Sequence, residues 1–166
     1  MEQNRQQSSD QQIIVGVGAS AGGLEAFEQL LEALGDAADL TIVFVMHLDP
    51  GSNALLGELL TKRTPLKIAE IKDRGRLEPG TLYVCPPQKL LEVKDGIVSF
   101  LPNEESGHST LVIDHFLQSL ASDQGERAVG VILSGTGSDG TLGLKAISDS
   151  GGLTFAQEPG SAKFDS

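Results

Sequence analysis

Three runs of consecutive apolar residues constrain this chain more than any other feature: Ile13-Ile14-Val15-Gly16-Val17, Leu40 to Met46 (LTIVFVM) and Ala128 to Leu133 (AVGVIL). A strand with one wet face alternates apolar and polar residues, whereas an unbroken Val/Ile/Leu run marks a strand buried on both faces of a parallel sheet. Each run is followed by a change to helical spacing. Leu24, Phe27, Leu30, Leu31 and Leu34 follow the first, with Gly35 placed as a C-cap; Leu55, Leu56, Leu59 and Leu60 follow the second; Leu142 to Ile147 follow the third. Strand, turn and helix in repetition predict an α/β fold: a doubly wound, mostly parallel sheet flanked by helices, Rossmann-like in its layering. Leu111 to Leu120 (LVIDHFLQSL) adds a helix and Leu153 to Ala156 (LTFA) a further strand. The middle, residues 66 to 101, reads differently. Pro79-Gly80 and Asp95-Gly96 turns separate Thr81 to Val84, Leu90 to Val93 and Ile97 to Phe100, which predicts an antiparallel hairpin inserted in the sheet region.

With 166 residues the chain is the size of one ordinary domain, expected over 13–166. Residues 1–12 (MEQNRQQSSDQQ) offer nothing to bury and are expected to be a disordered leader. At the other end, QEPGSAKFD leads to Ser166 with no closing helix, so the domain reads as cut short there. No apolar stretch approaches the roughly 18 to 20 residues of a membrane span, and the N-terminus lacks the basic start and apolar centre of a secretory signal. A cytoplasmic protein without membrane insertion is the expectation. A net charge of −11 repels phosphate backbones, which argues against nucleic acid as a partner. The single cysteine, Cys85, has no internal partner, and no CxxC or HExxH pattern is present, so neither a metal nor another cofactor is expected.

Ligands of open parallel sheets bind at the carboxyl ends of the strands. Ser20, His47 and Asp139 each lie just after one of the three apolar runs. Gly18-Ala19-Ser20-Ala21-Gly22 matches GxSxG between a strand and a helix, where small neighbours permit a sharp turn and the hydroxyl sits at a helix N-terminus. A serine hydroxyl needs a base within hydrogen-bond reach, and His47 is the histidine placed at a strand end. Asp139, in the glycine-lined Ser134-Gly135-Thr136-Gly137-Ser138-Asp139-Gly140 loop, supplies the carboxylate that would fix the imidazole tautomer. Backbone N–H groups of that loop, Thr136 among them, and of Ala21 are the oxyanion-hole candidates. The order Ser, His, Asp differs from the Ser, Asp, His order of the common α/β-hydrolase fold, so a different family is indicated.

Three segments in order carry a resemblance: IVGVGASAGG, FVMHLDP and GVILSGTGSDGTLGLKAI, with PGTLYVCPP, IDHFLQSLA and GGLTFAQEPGSAKFD agreeing as well. Together they resemble the CheB-type chemotaxis methylesterase domain over residues 13–166. The resemblance implies hydrolysis of glutamate methyl esters on the cytoplasmic helices of methylated chemoreceptors, releasing methanol, with glutamine deamidation as a related acyl chemistry. It implies the same triad, Ser20, His47 and Asp139. Ala21 and Thr136 stand where many stand-alone members have Thr and Met, and no receiver domain precedes the domain in this sequence. The SGTGSDGTLGLKAI and IDHFLQSLA wording is most like the form fused to a CheR-type methyltransferase, which implies a methyltransferase domain in the same full-length protein.

Other readings stand beside these. Ser20 alone serves equally as a helix cap, and Asp139-Gly140 alone is an ordinary turn. Gly16-Val17-Gly18-Ala19-Ser20-Ala21 also fits GxGxxA, a dinucleotide fingerprint, although the position for an acidic ribose ligand is taken by Met46-His47. A catalytically inactive receptor-binding signalling module is the rival from another class. His115, in an apolar helical stretch, is expected to be satisfied at the surface or in the core, and His108 to be exposed near the substrate groove. Cys85 is expected to be a small buried hydrophobe.

Overall fold

The computed structural model describes residues 12–20, 22–47, 53–87, 89–102, 111–135 and 137–163. The polar segment 1–11 lies outside the described residues. Gln12, next to it, is hydrogen-bonded through its amide to Thr41 Oγ1 and to the carbonyl of Leu77.

The strands are β1 (Ile13–Ala19), β2 (Leu40–Met46), β3 (Lys67–Glu70), β4 (Gly75–Arg76), β5 (Thr81–Val84), β6 (Leu91–Lys94), β7 (Ile97–Phe100), β8 (Ala128–Ile132) and β9 (Leu153–Ala156). The helices are α1 (Gly23–Leu34), α2 (Asn53–Thr61), α3 (Val112–Gln124) and α4 (Thr141–Asp149). Among the described residues a six-stranded sheet runs in the order β3-β5-β2-β1-β8-β9, and every pairing in it is parallel. β1 is central: Gly16 is in register with Val43 on one side and with Gly130 on the other. A separate antiparallel sheet is ordered β4-β7-β6. The doubly wound α/β architecture is therefore the one the apolar runs predict.

The two-residue strand period sorts the core into two layers. Val15, Val17 and Ala19 of β1, with Ile42 and Phe44 of β2, face α1 and α2 and pack on Phe27, Leu31, Leu56 and Leu60. Ile14 of β1 and Val43 and Val45 of β2 face the other way, onto Ile113, Phe116, Leu117 and Leu120 of α3, Ile147 of α4 and the small sheet. On this second face β1 presents Gly16 and Gly18. A Cβ at Gly18 would lie 2.3 Å from Cγ2 of Ile113, and one at Gly16 would lie 2.6 Å from Cδ2 of Leu117. These glycines let α3 settle directly against the strand, which gives the GxG pattern a packing role that needs no dinucleotide.

The middle of the chain differs from its sequence reading. The hairpin of β6 and β7 around Asp95-Gly96 is present, but Thr81–Val84 is not part of it. That segment is β5, paired in parallel with β2 and β3 inside the main sheet. Thr81, Leu82 and Tyr83 are all buried, so β5 is a central strand whose two polar residues disguise it. Thr81 Oγ1 donates to the carbonyl of Pro79, and the Tyr83 hydroxyl accepts from the N–H of Glu78. β3 has no apolar run to announce it, since its residues are partly or fully exposed at the sheet margin. At the opposite margin β9 is exposed along its length.

Phe27 of α1 stacks on Phe44 of β2 with ring centroids 3.9 Å apart and planes 7° from parallel, both fully buried. Close-packed aromatic pairs leave a void when one ring is removed, because the surrounding helix and sheet relax only in part. Phe44→Ala is expected to lower the unfolding free energy by about 3–5 kcal/mol, measured as a shifted midpoint in urea at unchanged slope.

Candidate active site

The order β2-β1-β8 sets the carboxyl ends of three strands side by side, and the chain reverses direction across the sheet between β1 and β8. That reversal opens a crevice above the sheet, the usual ligand site of open parallel folds. Ser20 follows β1, His47 follows β2, and the loop to Asp139 follows β8.

Ser20 sits in a tight strand-to-helix turn. Its N–H donates to the carbonyl of Ser134 at 3.2 Å, and its own carbonyl accepts from the N–H of Gly23 at 3.0 Å. Gly22 takes a left-handed φ of 78°, which lets the chain turn into α1 within that span. Across the crevice lies Gly135, where a Cβ would stand 2.4 Å from Ser20 Oγ. Only a residue without a side chain allows the loop to pass so close to the hydroxyl. The loop is moored on both sides: Leu133 N–H donates to Gly18, Ser134 N–H to the Gln157 side chain, and Gln157 N–H to Ile132.

His47 Nε2 lies 2.9 Å from Asp139 Oδ2. The imidazole is 41% exposed and the carboxylate 12%, so the pair has a wet end at the histidine and a dry end at the aspartate. Asp139 is held by more than its partner. Its Oδ2 also accepts from Ile113 N–H at 3.0 Å, and its Oδ1 accepts from Asp114 N–H at 2.8 Å. Both donors belong to the first turn of α3, whose N–H groups have no partner within the helix and carry the positive end of its dipole. The two backbone donors fix this carboxylate in orientation.

Ser20, His47 and Asp139 line one small cleft of about 40 Å³, with Gly18, Ile113 and Gly135 among its other walls. Two roomier depressions, about 520 Å³ between α2 and β3 and about 500 Å³ beside His115, contain none of the three. Ala21, Thr136 and His108 lie outside the described residues.

His115 departs from its expectation. It is partly buried on α3, and its Nε2 is fully enclosed with no hydrogen-bond partner among the described residues. Nearby Ser119 is already engaged, accepting from Val93 N–H and donating to the Phe116 carbonyl. Among the described residues no cluster of His, Cys, Asp and Glu is arranged to hold a metal ion. No helix among them is long and apolar enough to cross a membrane.

Residues 15–166 match the family described as CheB methylesterase. A relative from Leptospira interrogans is 35% identical over 144 residues, spanning 86% of this chain and 75% of its own. The protein-glutamate methylesterase/protein-glutamine glutaminase of Salmonella typhimurium is 30% identical over 152 residues, covering 89% of this chain but 43% of that protein. The crystal structure of the Thermotoga maritima CheB methylesterase catalytic domain superposes with a TM-score of 0.79 at 26% identity, covering 92% of this chain and 82% of that one.

Cys85, just beyond β5, is buried as expected, and burial pushes its thiol from 9.0 up to about 12. The folded chain therefore keeps this proton where the unfolded chain releases it. That contribution to stability is complete below pH 9 and is lost as pH rises towards 12. The expected slope is at most about 1.4 kcal/mol per pH unit. Denaturant titrations of the wild type and Cys85→Ala from pH 8 upward check this: the variant should lose the extra alkaline slope.

Proposed function

The chain belongs to the CheB methylesterase family, and from that premise we propose that it is a serine protein-glutamate methylesterase acting on methylated chemoreceptors. Hydrolysis of glutamine side-chain amides is the companion acyl chemistry. The observation that carries this reading is the His47–Asp139 pair at 2.9 Å, sharing one cleft with Ser20 at the turn after β1.

Each group has a role that follows from its setting. Ser20 Oγ attacks the ester carbonyl carbon while its proton passes to His47. Asp139 holds Nε2 of the ring, so Nδ1 is the nitrogen that takes the proton, and the carboxylate stabilises the imidazolium that forms. The tetrahedral intermediate collapses as methoxide leaves and recovers the proton from His47, which releases methanol. Water, with His47 again as base, then attacks the Ser20 acyl ester and frees the glutamate carboxylate. With a glutamine substrate the leaving group is ammonia. The N–H groups of Ala21 and Thr136 are the proposed oxyanion donors.

The proposed partner is the cytoplasmic helical region of a chemoreceptor, which puts the reaction in the cytoplasm. The resemblance of residues 134–147 and 113–121 to the fused form supports a methyltransferase domain as a second partner within the same full-length protein.

Methanol release from a methylated receptor fragment tests the reading. Ser20→Ala and His47→Ala are each expected to lower kcat by about a thousandfold or more, with Asp139→Ala falling less far and all three remaining folded. A folded wild-type protein that binds the fragment and releases no methanol would overturn it in favour of a receptor-binding module.

A further inference from the structure

Asp114 is the one carboxylate among the described residues that is buried, at 4% exposure, and no cation faces it there. An ionised carboxylate in an apolar layer needs donors to offset its lost hydration. Asp114 finds them at the start of α4. Its Oδ1 accepts from Gly140 N–H at 2.9 Å and from Gly143 N–H at 2.7 Å. The residue at the N-cap of α4 is Gly140, which has no side chain to cap the helix itself, and its φ of 107° suits glycine. The cap is supplied from α3 instead.

The arrangement is reciprocal. The N-cap position of α3, Leu111, also lacks a capping side chain. Its first turn is capped by Asp139, the residue immediately before Gly140. Each helix thus ends on an aspartate belonging to the other's N-terminus, and Asp114 contributes twice, giving its N–H to Asp139 and its carboxylate to Gly140. Gly143, one turn into α4, would place a Cβ 2.5 Å from Leu117 Cβ, so the two helices are in close contact beneath this exchange.

We infer that Asp114 is a positioning residue for the reaction: by capping α4 at Gly140 and Gly143 it fixes the peptide that carries Asp139, and so aims that carboxylate at His47. The inference rests on the assignment of Asp139 to the triad. Without Asp114 the two N–H groups of α4 lose their acceptor, and the loop end is free to shift by the few tenths of an ångström to an ångström over which a charge-assisted hydrogen bond weakens.

The test compares Asp114→Ala, Asp114→Ser and Asp114→Asn in the whole chain. Both hydrogen bonds fall on a single oxygen, so Asn can keep them whereas Ala cannot. Asp114→Ala is expected to lower kcat for methanol release about 10- to 100-fold, with KM changed by less than about twofold, and Asp114→Asn to recover most of that loss. A second readout needs no turnover. The ring proton shared between His47 and Asp139 is expected as a far-downfield proton resonance, identified by its absence in His47→Ala. It should broaden or vanish in Asp114→Ala and persist in Asp114→Asn. Should Asp114→Ala fail to fold, Asp114→Ser, whose hydroxyl is too short to bridge both N–H groups, is read the same way. A folded Ala or Ser variant with kcat within about twofold of wild type and an unchanged resonance would overturn the inference, as would a loss confined to KM. If the wild type releases no methanol, the esterase reading fails by itself, and the resonance still decides whether Asp114 positions Asp139.

Discussion

β1 is paired in parallel on both sides and covered on both faces, and the edge that carries the candidate site takes its geometry from that one strand. Its odd-numbered residues, Val15, Val17 and Ala19, are locked into the layer of α1 and α2, while Gly16 and Gly18 allow α3 to lie directly on the backbone. The in-register pairing with β2 and β8 then places the residues after Ala19, Met46 and Ile132 next to one another. Ser20, His47 and the loop bearing Asp139 converge without any long excursion of the chain. Displacing β1 along its axis by one residue would move the apolar set to the wrong face and separate all three groups.

The close seating of α3 has a further effect. Because Ile113 reaches Gly18, the first turn of the helix ends beside the crevice instead of above solvent, and its unpartnered N–H groups become a receptor for the Asp139 carboxylate. A glycine in a strand thus has a consequence for charge at the site: it determines where the positive end of a helix lies.

Much of this was legible in the sequence because it depends on local pattern. The apolar runs mark β1, β2 and β8, and the rule that parallel sheets bind at strand ends selects Ser20, His47 and Asp139 from residues far apart along the chain. What escaped is what depends on partners. Thr81–Val84 and the small-sheet strands look alike as sequence, and only the company they keep separates a central parallel strand from a hairpin. Lys67–Glu70 carries no strand signal since its pairing, not its burial, makes it one. Asp114 reads as an interruption of an apolar helix face; a carboxylate on the same face as Ile113, Phe116, Leu117 and Leu120 was the available hint that it meets backbone donors. The Nε2 of His115, without a partner among the described residues, has no counterpart in any spacing rule, because satisfaction of a polar atom is decided by neighbours from other elements.

The buried thiol of Cys85 gives the chain a chemical character of its own. Thiolates, not thiols, react with oxidants and electrophiles, and this sulfur is both enclosed and held protonated well above neutral pH. It is the only cysteine in the sequence. Burial and a raised pKa both lower the thiolate fraction that oxidants and thiol-directed reagents need. The only thiol of the sequence is therefore set apart from the cleft that holds Ser20, His47 and Asp139.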